Sequence, residues 1–340
     1  MATSKSIALT YVPADCGSII PGKSKAPQAF RDTGLIPKLR AAGHTYVTEH
    51  HALDAPAQFT PTALKPGGVR NEALNVQVCE RVEKTILTAL TTGAVDETGL
   101  EKQIDVEGKE KGGRPFQLIL GGECSMLPGI LSAFWTHHTT HTSPSARIGL
   151  IYIDADTDLS SPASPSSTGT FASMNMTHLM QTSGALESMR KFSRPDGKAV
   201  CDCQNTVFFG TNMALSSNTR DHFAYLFEKG YKVVPSVAVA RAPAESARDA
   251  LRYLEDRVDV IVVHLDVDAI DPGTFPLANV PNYTGVEFDA MMGALGVFLA
   301  SEKVGGLVVA EVNPDHDPGL EMVGRLTGEI VRMLAARREQ

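Results

Sequence analysis

Apolar positions in this chain fall into short, nearly unbroken runs, separated by longer stretches in which they recur every three or four residues. Residues 116–120, 148–153, 207–210, 258–265 and 306–312 are the clearest short runs, and 7–12 is another. Runs of this kind, closed by glycine or aspartate, predict strands covered by helices on both faces, the condition of a parallel sheet. Residues 26–42 place Phe30, Leu35, Ile36 and Leu39 at helical spacing. Residues 71–90 form a strongly amphipathic stretch, and 320–338 supply a C-terminal helix. Pro, Ala and Gly crowd 52–70, which predicts a loop, and the charged, glycine-containing 97–114 predicts a surface insertion. The alternation makes this an α/β chain.

Composition narrows the reading. The 340 residues are 43% hydrophobic, enough to bury one large domain spanning 1–340, although length alone would permit two. A net charge of -8 argues against nucleic acid or an anionic membrane as partner. The N-terminus carries no charged-then-apolar leader, and no apolar run approaches the ~18 residues of a membrane span. Cys16, Cys79, Cys124, Cys201 and Cys203 are odd in number and widely spread, so a disulfide framework is not expected and the chain reads as reduced and cytoplasmic.

The chemistry concentrates at strand ends. Asp154, Asp156 and Asp158 are spaced two apart, as are His264, Asp266 and Asp268. In an extended strand, alternate side chains share a face. Each set is therefore predicted to converge on one side of its strand end. Five gathered carboxylates repel one another and resist desolvation, so a cation belongs among them; the competing reading is a set of separate helix caps. The Ser-, Pro- and Thr-rich residues 160–170 follow the first set, as a loop above a strand end where open α/β sheets bind ligands.

At these residues the chain resembles the arginase–agmatinase (ureohydrolase) superfamily. Gly121-Gly122-Glu123-Cys124-Ser125 is similar to the family's GGDHS, Asp154 to Asp158 to DAHxD, Leu265 to Pro272 to SxDxDxxDP, and Glu311-Val312-Asn313-Pro314 to EVNP. Gly22, Pro27, Phe30-Arg31 and Gly34-Leu35 are similar to its opening helix. The resemblance implies a three-layer α/β/α fold with a central, mostly parallel sheet. It also implies a two-metal cluster, usually manganese, whose hydroxide attacks a guanidinium carbon. Carried over residue by residue, Cys124, Asp154, Asp158 and Asp266 would hold one metal. Asp154, Asp156, Asp266 and Asp268 would hold the other. Asp158 would accept a hydrogen bond from the hydroxide, and Glu311 would anchor the guanidinium. Relatives commonly form trimers or hexamers.

The departures from the pattern carry their own expectations. Cys124 and Asp156 stand where the family has histidines, which makes the ligand shell more anionic and raises the pKa of a bound water. A thiolate also shifts preference from manganese toward zinc, iron or cobalt. His264 replaces the family's serine. It is expected either to take part in the site, as a cation or a ligand, or to hydrogen-bond a ligating carboxylate. Thr168 to Ala172 replace the substrate stretch SGNxH, so Ala172 stands in for a histidine thought to shuttle protons. Ser160 and Val280 replace two further recognition residues. Ser160, Thr168 and Thr170 are taken as substrate-contacting, with a substrate other than arginine, smaller or more apolar at its tail. His178 and His316 are candidates for the missing shuttle. The cluster His137, His138 and His141 and the pair Cys201 and Cys203 read as surface loops. Two alternatives stay open: a metal-poor binding or regulatory protein, and a single-metal amide hydrolase using Asp154, Asp156 and Asp266.

Overall fold

The six short apolar runs, flanked by two edge strands, pair into one eight-stranded sheet whose ladders are all parallel. The computed structural model describes residues 6–44, 46–61, 68–91, 115–164 and 167–337. Its strands are β1 (Ser6–Val12), β2 (Tyr46–His51), β3 (Phe116–Gly121), β4 (Ile148–Ile153), β5 (Thr206–Thr211), β6 (Lys232–Pro235), β7 (Val260–Asp266) and β8 (Val304–Ala310). They are ordered β2-β1-β3-β8-β7-β4-β5-β6. Only the two edge strands are substantially open to solvent, and these lack the apolar runs that mark the others.

Helices α1 (Ala26–Asp32), α2 (Leu35–Ala41), α3 (Glu72–Thr91), α4 (Leu127–His141), α5 (Asn175–Leu179), α6 (Arg220–Glu228), α7 (Ser236–Arg241), α8 (Pro243–Glu255), α9 (Phe288–Leu299) and α10 (Glu321–Ala336) complete the described elements. Strand alternation sends Leu118, Leu120, Ile151, Ile153, Val263 and Leu265 into a core with α1, α2 and α7 to α10. Ile119, Leu150, Tyr152 and Val262 face a second core with α3 to α6. The result is the expected three-layer α/β/α arrangement.

Four sequence expectations change. The helix expected over 26–42 is two helices, because Gly34 adopts φ 76°, a left-handed turn that an α-helix cannot contain. The strand expected over 306–312 runs Val304–Ala310, which leaves Glu311 beyond its end. The histidine cluster is no surface loop. It closes α4, whose inner face runs Leu127, Ile130, Leu131, Phe134 and His138 at helical spacing. His137 and His138 are buried, and the His138 ring stacks on Phe134. Cys201 is likewise buried in its loop, while Cys203 is half-buried. The expected insertion at 97–114 lies outside the described residues.

The strand order decides where chemistry can occur. It makes β3, β8, β7 and β4 neighbours, so four segments far apart in the chain leave the sheet side by side at its carboxyl edge.

Candidate metal centre

Each strand end delivers its side chains by a local device. After β3 the chain passes Gly122, where a Cβ would stand 1.6 Å from the Ala14 carbonyl oxygen, so only glycine permits this close approach. A 3-10 turn over Cys124–Met126 then presents the buried Cys124 thiol.

The Asp154 to Asp158 segment does not continue β4 as expected. The strand stops at Ile153 and the backbone curls. Asp156 N–H donates to Asp154 Oδ1 (2.7 Å), Ala155 N–H donates to Asp268 Oδ1 (3.2 Å), and Asp158 takes φ 48°. An extended continuation would string alternate residues roughly 6.6 Å apart along a line; the curl wraps them toward one point instead. On β7, His264 and Asp266 do share a strand face. Asp268 lies past the strand in a 3-10 turn over Val267–Ala269, where its N–H donates to Asp266 Oδ1 at 2.9 Å. Positive φ at Asp158 and at Glu311 (65°) marks backbone strain on two sides of the site.

These devices bring the ligand-type atoms together. Cys124 with Asp266 and Glu311, Asp154 with His264 and Asp266, and Asp154 with Asp156 and Asp268 form overlapping triads whose ligand atoms lie within 4.8 Å of one another. Asp158 flanks them: its Oδ2 accepts from the Tyr152 hydroxyl and lies 3.8 Å from Cys124 Sγ, while Asn175 Nδ2 donates to the same tyrosine oxygen (3.3 Å).

The electrostatics demand a counter-charge. Burial and then the Asp268 carboxylate hold Asp154 well above the ordinary carboxylate range, and burial first, then neighbouring carboxylates, do the same to Asp158, Asp266 and Asp268. Burial also raises Asp156 and, together with Asp158, the Cys124 thiol. Burial pushes His264 down to about 3. Asp154 Oδ2 and both ring nitrogens of His264 are buried without a hydrogen-bond partner. Carboxylate, thiol and imidazole donors around unsatisfied buried atoms suit a divalent cation.

Glu311 is already engaged. Its Oε1 accepts from Cys124 N–H (3.0 Å) and its Oε2 pairs with Lys23 Nζ (3.0 Å). Lys23 is 1% exposed and sits on a 3-10 turn held by Asp15 Oδ2, which accepts from Gly22 and Ser24 N–H. Sequence reasoning missed this lysine, because nothing in the spacing around Gly22 sets Lys23 apart from Lys25, which is exposed.

The predicted substrate loop lies alongside. Ser160 is half-buried, and its N–H donates to Ser173 O (3.1 Å). Thr168 and Thr170 share a hydroxyl contact of 2.8 Å, and Thr170 Oγ1 also meets Ser173 Oγ at 3.3 Å. Ala172 O lies 3.7 Å from Cys124 Sγ. Of the shuttle candidates, His178 is buried against Phe171, and His316 is exposed with Nε2 3.5 Å from Asn313 Nδ2. Val280 is 58% exposed.

Residues 5–336 match the Arginase family model. The chain belongs to the arginase family. Arginases and formimidoylglutamases are hydrolases of C–N bonds in non-peptide substrates, and membership places this chain in that class of enzyme. This arginase-family chain is similar to an arginase from Staphylococcus aureus (strain MRSA252), at 24% identity covering 97% of this chain and 99% of the relative. Its fold is similar to that of Entamoeba histolytica arginase in complex with L-ornithine (TM-score 0.77, 17% identity, 98% and 99% covered). It is also similar to that of a Trypanosoma cruzi formiminoglutamase variant with Mn2+ (TM-score 0.67, 16% identity, 98% and 94% covered).

Proposed function

We propose that this protein is a metal-dependent hydrolase that cleaves a C–N bond in a guanidino or amidino compound other than arginine. The observation that carries the reading is the gathering of buried acidic side chains from β4 and β7 around an unpartnered Asp154 Oδ2. Cys124, Asp154, Asp158 and Asp266 would hold one divalent ion, and Asp154, Asp156, Asp266 and Asp268 a second. Manganese accompanies the T. cruzi relative; Cys124 also favours zinc, iron or cobalt. Such ions would supply a water of lowered pKa as nucleophile and stabilise the oxygen it contributes as the C–N bond is attacked. Asp158, whose Oδ2 accepts from the Tyr152 hydroxyl, would take the proton of the attacking water.

Substrate choice follows from what Glu311 already holds. With Lys23 on one oxygen, Glu311 receives a cationic group only by sharing its charge. Ser160 and Val280, in place of two recognition residues of the family, favour a substrate that is smaller or more apolar at its tail. Ile19, Ile20, Val280 and Tyr283 are exposed, and Asn279 Nδ2 donates to Ile20 O. The reading extends to a single domain over 1–340 and a small-molecule substrate. It also includes a cytoplasmic setting and a homo-oligomer, trimeric or hexameric.

Metal analysis of protein purified without chelator, with urea, ammonia and formamide release followed over a panel of guanidino and amidino compounds, tests this. Bound metal with turnover of a non-arginine compound supports it; no metal together with no turnover refutes it. The Lys23–Glu311 pair favours one other reading, a binding or regulatory protein on the same fold, which tight metal in the unmodified protein would count against.

A further inference from the structure

The floor of the acidic site is built from two aromatic rings. Tyr152 on β4 and His264 on β7 are register partners in the sheet, each two residues before an aspartate of the cluster. Their rings stack at 5.0 Å with an interplanar angle of 7°. The tyrosine hydroxyl is satisfied by Asp158 and Asn175. The histidine is not satisfied. It is 0% exposed and neither Nδ1 nor Nε2 has a partner, yet a ring nitrogen lies within 4.8 Å of carboxylate oxygens of Asp154 and Asp266. Asp154 Oδ2 is unpartnered in the same place. A buried imidazole with two idle nitrogens costs a full desolvation penalty per group. Stacking on Tyr152 fixes the ring plane and limits how the ring could turn to relieve it.

We infer that His264 is itself a metal ligand, one ring nitrogen of which would join the Asp154 and Asp266 carboxylates in holding a divalent ion. This rests on the metal-dependent reading proposed above and adds to it a ligand that comes from within a strand rather than from a strand end. A neutral nitrogen donor here offsets an otherwise all-anionic shell. It also makes the site an N,O,S set suited to cobalt, iron or zinc as well as manganese. A positional consequence follows. Because the donor is anchored in the middle of the sheet, its position is set by strand register and not by loop conformation.

The test is pulsed electron paramagnetic resonance on the full-length protein loaded with Mn2+, prepared with natural-abundance and with 15N-labelled histidine. A directly coordinated imidazole gives nitrogen modulation that changes with the label. His264→Phe keeps a ring against Tyr152 and should remove the modulation while weakening Mn2+ binding by about ten-fold or more. His222→Asn, at a ring that contacts Thr157, should leave both unchanged. Mn2+ bound with no label-dependent modulation overturns the His264 assignment and leaves the metal reading standing. No Mn2+, Co2+ or Zn2+ binding at all overturns both. If His264→Phe does not fold, the labelled parent and His222→Asn decide alone: modulation retained in both supports His264, and its absence from either overturns it.

Discussion

Lys23 Nζ stands 3.0 Å from Glu311 Oε2, with the lysine 1% exposed, so a residue of the N-terminal turn neutralises a carboxylate at the end of β8. The Glu311 charge raises the lysine pKa against the opposing effect of burial. Removing one partner of such a pair strands a buried charge. Lys23→Met should therefore cost about 3–5 kcal/mol in urea unfolding, and adding Glu311→Gln to the same chain should recover most of it. A Lys23→Met protein within ~1 kcal/mol of the parent would show that the pair is not closed in solution.

In chelated protein the acidic cluster should oppose folding at neutral pH. Asp154, Asp158, Asp266 and Asp268 keep their protons in the fold to higher pH than in the unfolded chain. Their contribution is fully present below the ordinary carboxylate range and is lost as pH rises through the folded-state values. The chelated protein should lose melting temperature as pH rises above the ordinary carboxylate range, and added Mn2+ should restore more at higher pH. Asp268→Asn should raise the melting temperature of the chelated protein and lower the metal content of protein purified without chelator. A fall in both would mean that this carboxylate stabilises the fold without metal.

Cys124 distinguishes a ligand from an inert thiol. Burial and Asp158 push its pKa up, so the thiolate forms only if a cation compensates. Cobalt-loaded protein should show a near-ultraviolet thiolate-to-metal band that disappears in Cys124→Ser. Full cobalt occupancy without that band makes Cys124 a spectator.

His178 should add acid sensitivity unrelated to the metal site. Burial lowers it from 6.5 to about 4. As pH falls through that interval the unfolded chain takes a proton that the fold refuses, so stability drops by up to about 3 kcal/mol. His178→Leu should flatten this part of the stability profile, as followed by urea midpoints. An unchanged slope would place the acid sensitivity elsewhere.

How much was legible can be judged residue by residue. Val262, Val263 and Leu265 announce a buried strand because both faces of β7 are covered, and apolar continuity is a local property. Tyr46 to His51 do not, since β2 is an edge strand with most side chains half open. The break at Gly34 could be suspected from the glycine, but whether a helix stops there depends on what α2 packs against. The spacing of Asp154, Asp156 and Asp158 suggested convergence by strand alternation, whereas a curled loop past the strand end brings Asp154 and Asp156 beside Asp268.

By itself the sequence determined the α/β class, the family, and the carboxylate residues that mark the candidate site, because periodicity and ordered motifs are written in neighbouring positions. Tertiary structure alone decided that Lys23 pairs with Glu311 across 288 positions of chain, since 311 minus 23 is 288. It also decided that a His264 ring nitrogen lies within 4.8 Å of an Asp154 carboxylate oxygen with both ring nitrogens idle. Those relationships arise from strand order, which sets β8 beside β7 and β7 beside β4. Strand order is chosen by how whole layers pack, and no short stretch of chain records it.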